Sequence, residues 1–273
     1  ILVSVLLAIG GFYVSKDLQI GDLDPGAPEL HPDSRYNRDV AYTIENYSVS
    51  NDVFAVIVKT APDECVLFEG LSLANELEWR LLQLDGVEDV KGLNVATRDI
   101  MMGINEGFPK WTALFRNQDT INFAVTELTN LDYVDPACSL WPMLVYLSDH
   151  KAATLTGVVD ALTAFKEEWP TTDIDFLGAA GSAGFEAATN IVVSRAWWEM
   201  LIYVYSAVIL LCLLTFRSIP GVVCAVLPLM LTSILCEALM VWLGIGVKVA
   251  TLPVIALGVG IGVDYALYVL TVI

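Results

Sequence analysis

Three glycines at alternate positions lead into an acid and a phenol in the run Leu257-Gly258-Val259-Gly260-Ile261-Gly262-Val263-Asp264-Tyr265-Ala266. Glycines so spaced resemble a phosphate-binding loop, but such a loop needs a strand before it and polar surroundings, and this run is apolar on both sides. In an apolar helix, Gly258, Gly260 and Gly262 instead let a neighbouring helix come close. Asp264 stands twelve residues past Leu252, or ~18 Å along a helix, near mid-depth of a membrane span. A carboxylate there costs roughly 2.5–3.5 kcal/mol on insertion scales and marks function by default. The chemistry open to it is the gain and loss of a proton. The bland alternative is a polar contact between packed helices.

Other chemistries fit less well. An intramembrane aspartyl protease wants Gly-x-Gly-Asp and a second membrane aspartate, whereas Val263 separates Gly262 from Asp264 and no other apolar run holds an Asp. His31 and His150 are isolated, without His/Cys spacing for a metal, and read as solvated loop residues. No Ser/His/Asp grouping stands out. Glu237 and Glu199 fall near predicted span ends and read as interfacial acids.

The elements that must position Asp264 follow from the charge distribution. The chain has 273 residues, 56% of them hydrophobic, above the usual globular share. Residues 199–273 carry only Glu199, Arg217, Glu237, Lys248 and Asp264, leaving 12 Lys+Arg and 29 Asp+Glu for residues 16–195, a net of −17 there. An acidic block is thus joined to a nearly uncharged one. That balance excludes nucleic-acid binding, which needs a basic surface, and a domain lying flat on anionic lipid. Residues 197–216 and 222–243 read as membrane helices joined by a turn through Arg217 and Pro220. A third helix is expected over 251–273, with Thr251 as N-cap and Pro253 in the first turn. Residues 1–14, apolar apart from Ser4, are expected to be the outer part of a first span whose start is cut away, and 268–273 also stop inside an apolar run. Phe12-Tyr13, Trp197-Trp198 and Trp242 suggest an aromatic belt on the side of the acidic block, and Arg217 favours its own turn as cytoplasmic.

Within 15–196, two units of similar pattern recur. Strand 53–59, helix 69–84 and strand 87–90 form one; strand 142–147, helix 155–169 and strand 173–177 form the other. Two such units predict an α+β domain of ferredoxin-like, split β-α-β type. The stretch 98–135 is harder to read, with a helix suggested over 111–116. If the domain faces an oxidising compartment, Cys65 and Cys138 are its only available disulfide pair and would tie the two units together. Cys212, Cys224 and Cys236, in apolar runs, read as small fillers.

The run from Gly258 to Val269 resembles the fourth-helix signature of the resistance-nodulation-division (RND) exporters, in the branch that includes the mycobacterial membrane protein large (MMPL) proteins. Leu214-Thr215-Phe216-Arg217-Ser218, Pro228 and Val249-Ala250-Thr251-Leu252-Pro253 fit the same pattern, as does the order of one helix, a large loop, then closely spaced helices. The resemblance covers essentially the whole chain. It implies a partial α-helical membrane bundle, the start of a sterol-sensing-type core, with an extracytoplasmic porter domain over 15–196, in a multi-pass protein of the bacterial inner membrane. It further implies that Asp264 takes protons from the transmembrane gradient, with Tyr265 as a hydrogen-bonding neighbour, and that no cofactor is needed. The partner groups for Asp264 would sit on a later helix, in a C-terminal half repeating the same plan. Hydrophobic or lipid-like molecules are the implied substrates, membrane lipids the surroundings, and a homo-oligomer is compatible. A sterol-sensing relative that binds lipid and signals without pumping is the alternative.

Overall fold

In the computed structural model, the described residues are all but 1, 24–25, 28–29, 32, 48–49, 130–133, 172 and 273. The chain divides into two compact units, Asp24–Ala188 and the pair of segments Ile1–Leu23 with Thr189–Ile273.

Asp24–Ala188 is built on one sheet. After α2 (Arg35–Asn46), capped by the Ser34 hydroxyl, come β1 (Asp52–Lys59), α3 (Phe68–Leu81), β2 (Val87–Lys91) and α4 (Leu93–Ile104). A single 3₁₀ turn (Pro109–Trp111) and α5 (Gln118–Thr129) lead to β3 (Leu140–Leu147), α6 (Ala152–Glu168) and β4 (Asp175–Ala180). The strand order is β2-β3-β1-β4, with all three pairings antiparallel. With a helix between β1 and β2 and another between β3 and β4, this is the expected split β-α-β arrangement. The register explains the core. Phe54 faces Val145, Val56 faces Met143 and Val58 faces Trp141, so all six side chains lie on one face, each at most 1% exposed. Leu71, Ala74, Leu77 and Leu81 of α3 and Leu155, Val158, Leu162 and Phe165 of α6 recur at helical spacing and join the same core. Pro142 is tolerated within β3 because β2 pairs only as far as Leu144.

The stretch that was hard to read forms α4 and α5 rather than a helix over 111–116. Pro109 starts only a single turn, and the Phe115 ring lies tilted against Trp111, centroids 5.7 Å apart. His150 is not a solvated loop residue. It is 6% exposed, with Nδ1 3.1 Å from Asp52 Oδ1.

The second unit is helical: α1 (Leu2–Ser15), the later part of α7 (Gly181–Phe216), α8 (Ile219–Leu243) and α9 (Leu252–Val272). Three of these helices are long and apolar enough to cross a membrane. The helix holding 197–216 begins at Gly181, directly after β4, so position 197 lies inside a continuous helix. Gly181 has φ +78°, and a Cβ there would sit 2.3 Å from the Val53 carbonyl oxygen, so only glycine makes this strand-to-helix corner. Trp197 is buried at 5% while Trp198 is 65% exposed. Neighbours on a helix point ~100° apart, so of the pair only Trp198 suits a belt.

Candidate functional site

α8 starts at Ser218 with Pro220 in its first turn and ends at Gly244, left-handed at φ +67°. Beyond Gly244 the chain turns back on the segment after α1. Gly21 N–H donates to the Val247 carbonyl at 2.8 Å, and Val247 N–H donates to Gln19 O at 2.9 Å. A Cβ on Gly246 would lie 2.0 Å from Gly21 O, so this approach requires glycine. The Lys248 ammonium reaches Asp22 at 2.5 Å. The Thr251 hydroxyl accepts from Lys248 N–H at 2.9 Å, closing the loop. Thr251 stands directly before Leu252, at the N-cap position expected of it, and its hydroxyl also donates to the Gly246 carbonyl at 3.1 Å.

α9 then runs from Leu252 with Asp264 about two-thirds of the way along the candidate span Leu252–Val269. Its contact with α8 is made at Val259, 2% exposed, and at Gly262, where a Cβ would meet Leu229 Cδ2 at 2.5 Å. Among the described residues Gly258 and Gly260 have nothing within 4 Å of a built Cβ, and of the three only Gly262 makes the expected close approach. Asp264 lies on the unpacked side of α9, sharing that side with Leu257, Gly260, Ile261 and Tyr268, all exposed. Tyr265, 72% exposed, is the next residue and so projects to a different side. No hydrogen bond or ion pair of Asp264 appears among the described residues, and none joins it to Tyr265. Cys65 and Cys138 form a disulfide in the other unit, with Cα atoms 5.1 Å apart.

A second polar centre sits inside the helical unit. α1, α7 and α8 border a cavity of about 750 Å³, open on one side, with mostly apolar walls, among them Phe12, Trp197, Ile209, Met230 and Ile234. Into it come Tyr205 of α7 and Ser233 and Glu237 of α8. The Tyr205 and Ser233 hydroxyls are hydrogen-bonded at 2.7 Å, and Glu237 is one helical turn beyond Ser233. Glu237 is therefore not only an interfacial acid: it forms part of a cavity wall. The signal in the sequence was the i, i+4 spacing of Ser233 and Glu237 in an otherwise apolar helix. What pattern reading lacks is the partner, Tyr205, supplied from 28 residues away. Among the described residues no group of three or more His, Cys, Asp or Glu side chains could hold a metal ion.

No family model and no curated protein matches the chain. Two solved structures resemble it over most of its length. One is a heavy metal efflux pump in crystal form I, 15% identical, TM-score 0.48, covering 92% of this chain and 36% of the pump's. The other is a heavy metal efflux pump in crystal form II, 13% identical, TM-score 0.45, covering 90% of this chain and 38% of that one. The chain thus spans less than two-fifths of the length of the pump chains it resembles.

Proposed function

We propose that this chain is part of a proton-motive-force-driven exporter of RND type, in the MMPL branch, that moves hydrophobic or lipid-like molecules. In this reading it lies in a bacterial inner membrane, with Asp24–Ala188 on the extracytoplasmic side. One observation carries the reading: Asp264, a carboxylate well inside a span whose other residues are uncharged. Such a group is expensive unless it is used. Uptake of a proton at Asp264 from one side and release to the other lets the gradient, ~2.3 kcal/mol per charge per 100 mV, bias a two-state movement of the porter domain. The exposed side of α9 that holds Asp264 is where relay partners from a further helix would dock.

The test is proton flux through the full-length protein in proteoliposomes loaded with a pH-sensitive dye. Asp264→Asn abolishes dissipation of an imposed pH gradient, and Asp264→Glu keeps part of it. Unchanged flux in Asp264→Asn sinks the proposal and favours the lipid sensor, which has no need of a titrating group in the span.

A further inference from the structure

We infer that the cavity between α1, α7 and α8 binds an amphiphile through a protonated amine, with Glu237 as the residue that selects it. The inference names a substrate class for the exporter reading and rests on it. The volume, about 750 Å³, is that of a small-molecule site, and the composition is right as well: apolar walls with a few convergent polar groups. Those polar groups are specific. Glu237 is a carboxylate in an apolar wall, and no cation lies within ion-pair distance of it among the described residues. Lys16, which also lines the cavity, lies 5.2 Å from the centre of the Phe12 ring. A charge removed from water without a partner is unfavourable, and a ligand cation offsets that loss directly. An alcohol does so weakly, and a carboxylate makes it worse. The Tyr205–Ser233 pair, whose mutual hydrogen bond uses one of the two hydroxyl protons, still presents oxygen lone pairs one turn from Glu237, a second acceptor for an ammonium with three protons to donate. Trp197 and Trp198 line the same cavity and add apolar surface for the tail of an amphiphile.

The experiment uses the full-length protein in phosphatidylcholine nanodiscs, titrated with dodecylamine, dodecanol and dodecanoate and followed by tryptophan fluorescence. Trp198→Phe, which removes an indole from the cavity wall, assigns the signal. Dodecylamine is expected to saturate the site at least tenfold more tightly than dodecanol. Glu237→Gln, nearly the same in shape, removes that preference while leaving dodecanol unchanged, and Tyr205→Phe weakens the amine several-fold. Glu199→Gln, a carboxylate that does not line the cavity, leaves every affinity as it was. Adding phosphatidylethanolamine to the discs separates two sources of the same chemistry: competition with dodecylamine assigns the natural ligand to the lipid headgroup, and no competition assigns it to a free amine. Equal dodecylamine affinity in Glu237→Gln and the parent protein overturns the inference, as does dodecanoate binding as tightly as the amine. Asp264→Asn keeps the two proposals apart. Amine binding that survives loss of proton flux leaves the cavity assignment standing, and flux without amine selectivity leaves the pump standing.

Discussion

Replacing Arg98 by methionine tests how the α3–α4 contact is held. Glu78 of α3 is 7% exposed, and its carboxylate accepts from Arg98 at 2.6 Å and from Asn94 Nδ2 at 2.7 Å. Burial pushes the Glu78 carboxyl up, Arg98 and Asn94 pull it down without cancelling that effect, and the charge of Asp89 adds to the rise. Arg98→Met keeps the apolar stem and strands the Glu78 charge. Breaking a buried pair costs roughly 3–5 kcal/mol. The Arg98 side chain is 20% exposed, and its Nε is buried without a hydrogen-bond partner among the described residues. Both facts place the loss at the lower end, about 3 kcal/mol near neutral pH. Without Arg98 the Glu78 carboxyl rises further. A carboxyl whose folded pKa lies above its unfolded value holds its proton more tightly in the folded state. Its contribution is therefore full below the unfolded pKa and lost as pH rises through the folded one. The penalty of Arg98→Met should accordingly shrink on acidification from about pH 7 toward the ordinary glutamate range of about 4.3. The double variant Glu78→Gln/Arg98→Met, which leaves no charge to strand, should recover most of the loss. Asp24–Ala188 is continuous in sequence and contains its own core, so urea unfolding of that segment with its disulfide intact measures all three stabilities. A penalty that stays constant with pH, or a double variant as weak as Arg98→Met, would refute the argument.

Other outcomes follow from single features. Gly181→Ala puts a methyl 2.3 Å from the Val53 carbonyl at φ +78°. It should lower the unfolding free energy from the same urea curve by more than the ~1–2 kcal/mol of left-handed strain alone, and an unchanged curve would contradict the corner as described. Reducing Cys65–Cys138, which closes a 73-residue separation, should remove about 4 kcal/mol by the chain-entropy relation, read as the difference between oxidised and reduced denaturation curves. At Asp149, burial pushes the carboxyl up, but the Thr154 hydroxyl and the Lys151 backbone and ammonium outweigh it and hold it below the usual range. Its contribution is present above the unfolded pKa and lost as pH falls through the folded one, so Asp149→Asn should flatten the acid limb of stability against pH.

The membrane helices and both β-α-β units could be read from the sequence because their signals are local: uncharged runs long enough to span, and periodicities that change between strand and helix. Residues 98–135 could not be read in that way. Its helices α4 and α5 are short, and their buried residues, such as Leu93, Asn94 and Ile121, belong to a core assembled from distant segments. Asn94 is fully buried yet polar, and its bonds to Glu78 and Asn75 of α3 make sense of it. His150 was misjudged for the same reason, since Asp52 is 98 residues away. At the candidate site, Asp264 was visible as a costly residue type in an apolar run. The cavity was not, because it exists only where three helices meet, and Tyr205 looks in sequence like any aromatic in a span.

The backbone bridge between Ile20 and Val247 makes the loop after α8 a clasp. It fastens the tail of α1 to the short loop from which α9 departs, and the Lys248–Asp22 pair closes it. Ile20 and Val247 are also part of the cavity lining. The lip of that chamber is thus sewn to the head of the helix that bears Asp264, so a tilt of α9 would pull on the rim through main-chain hydrogen bonds and the Lys248–Asp22 pair.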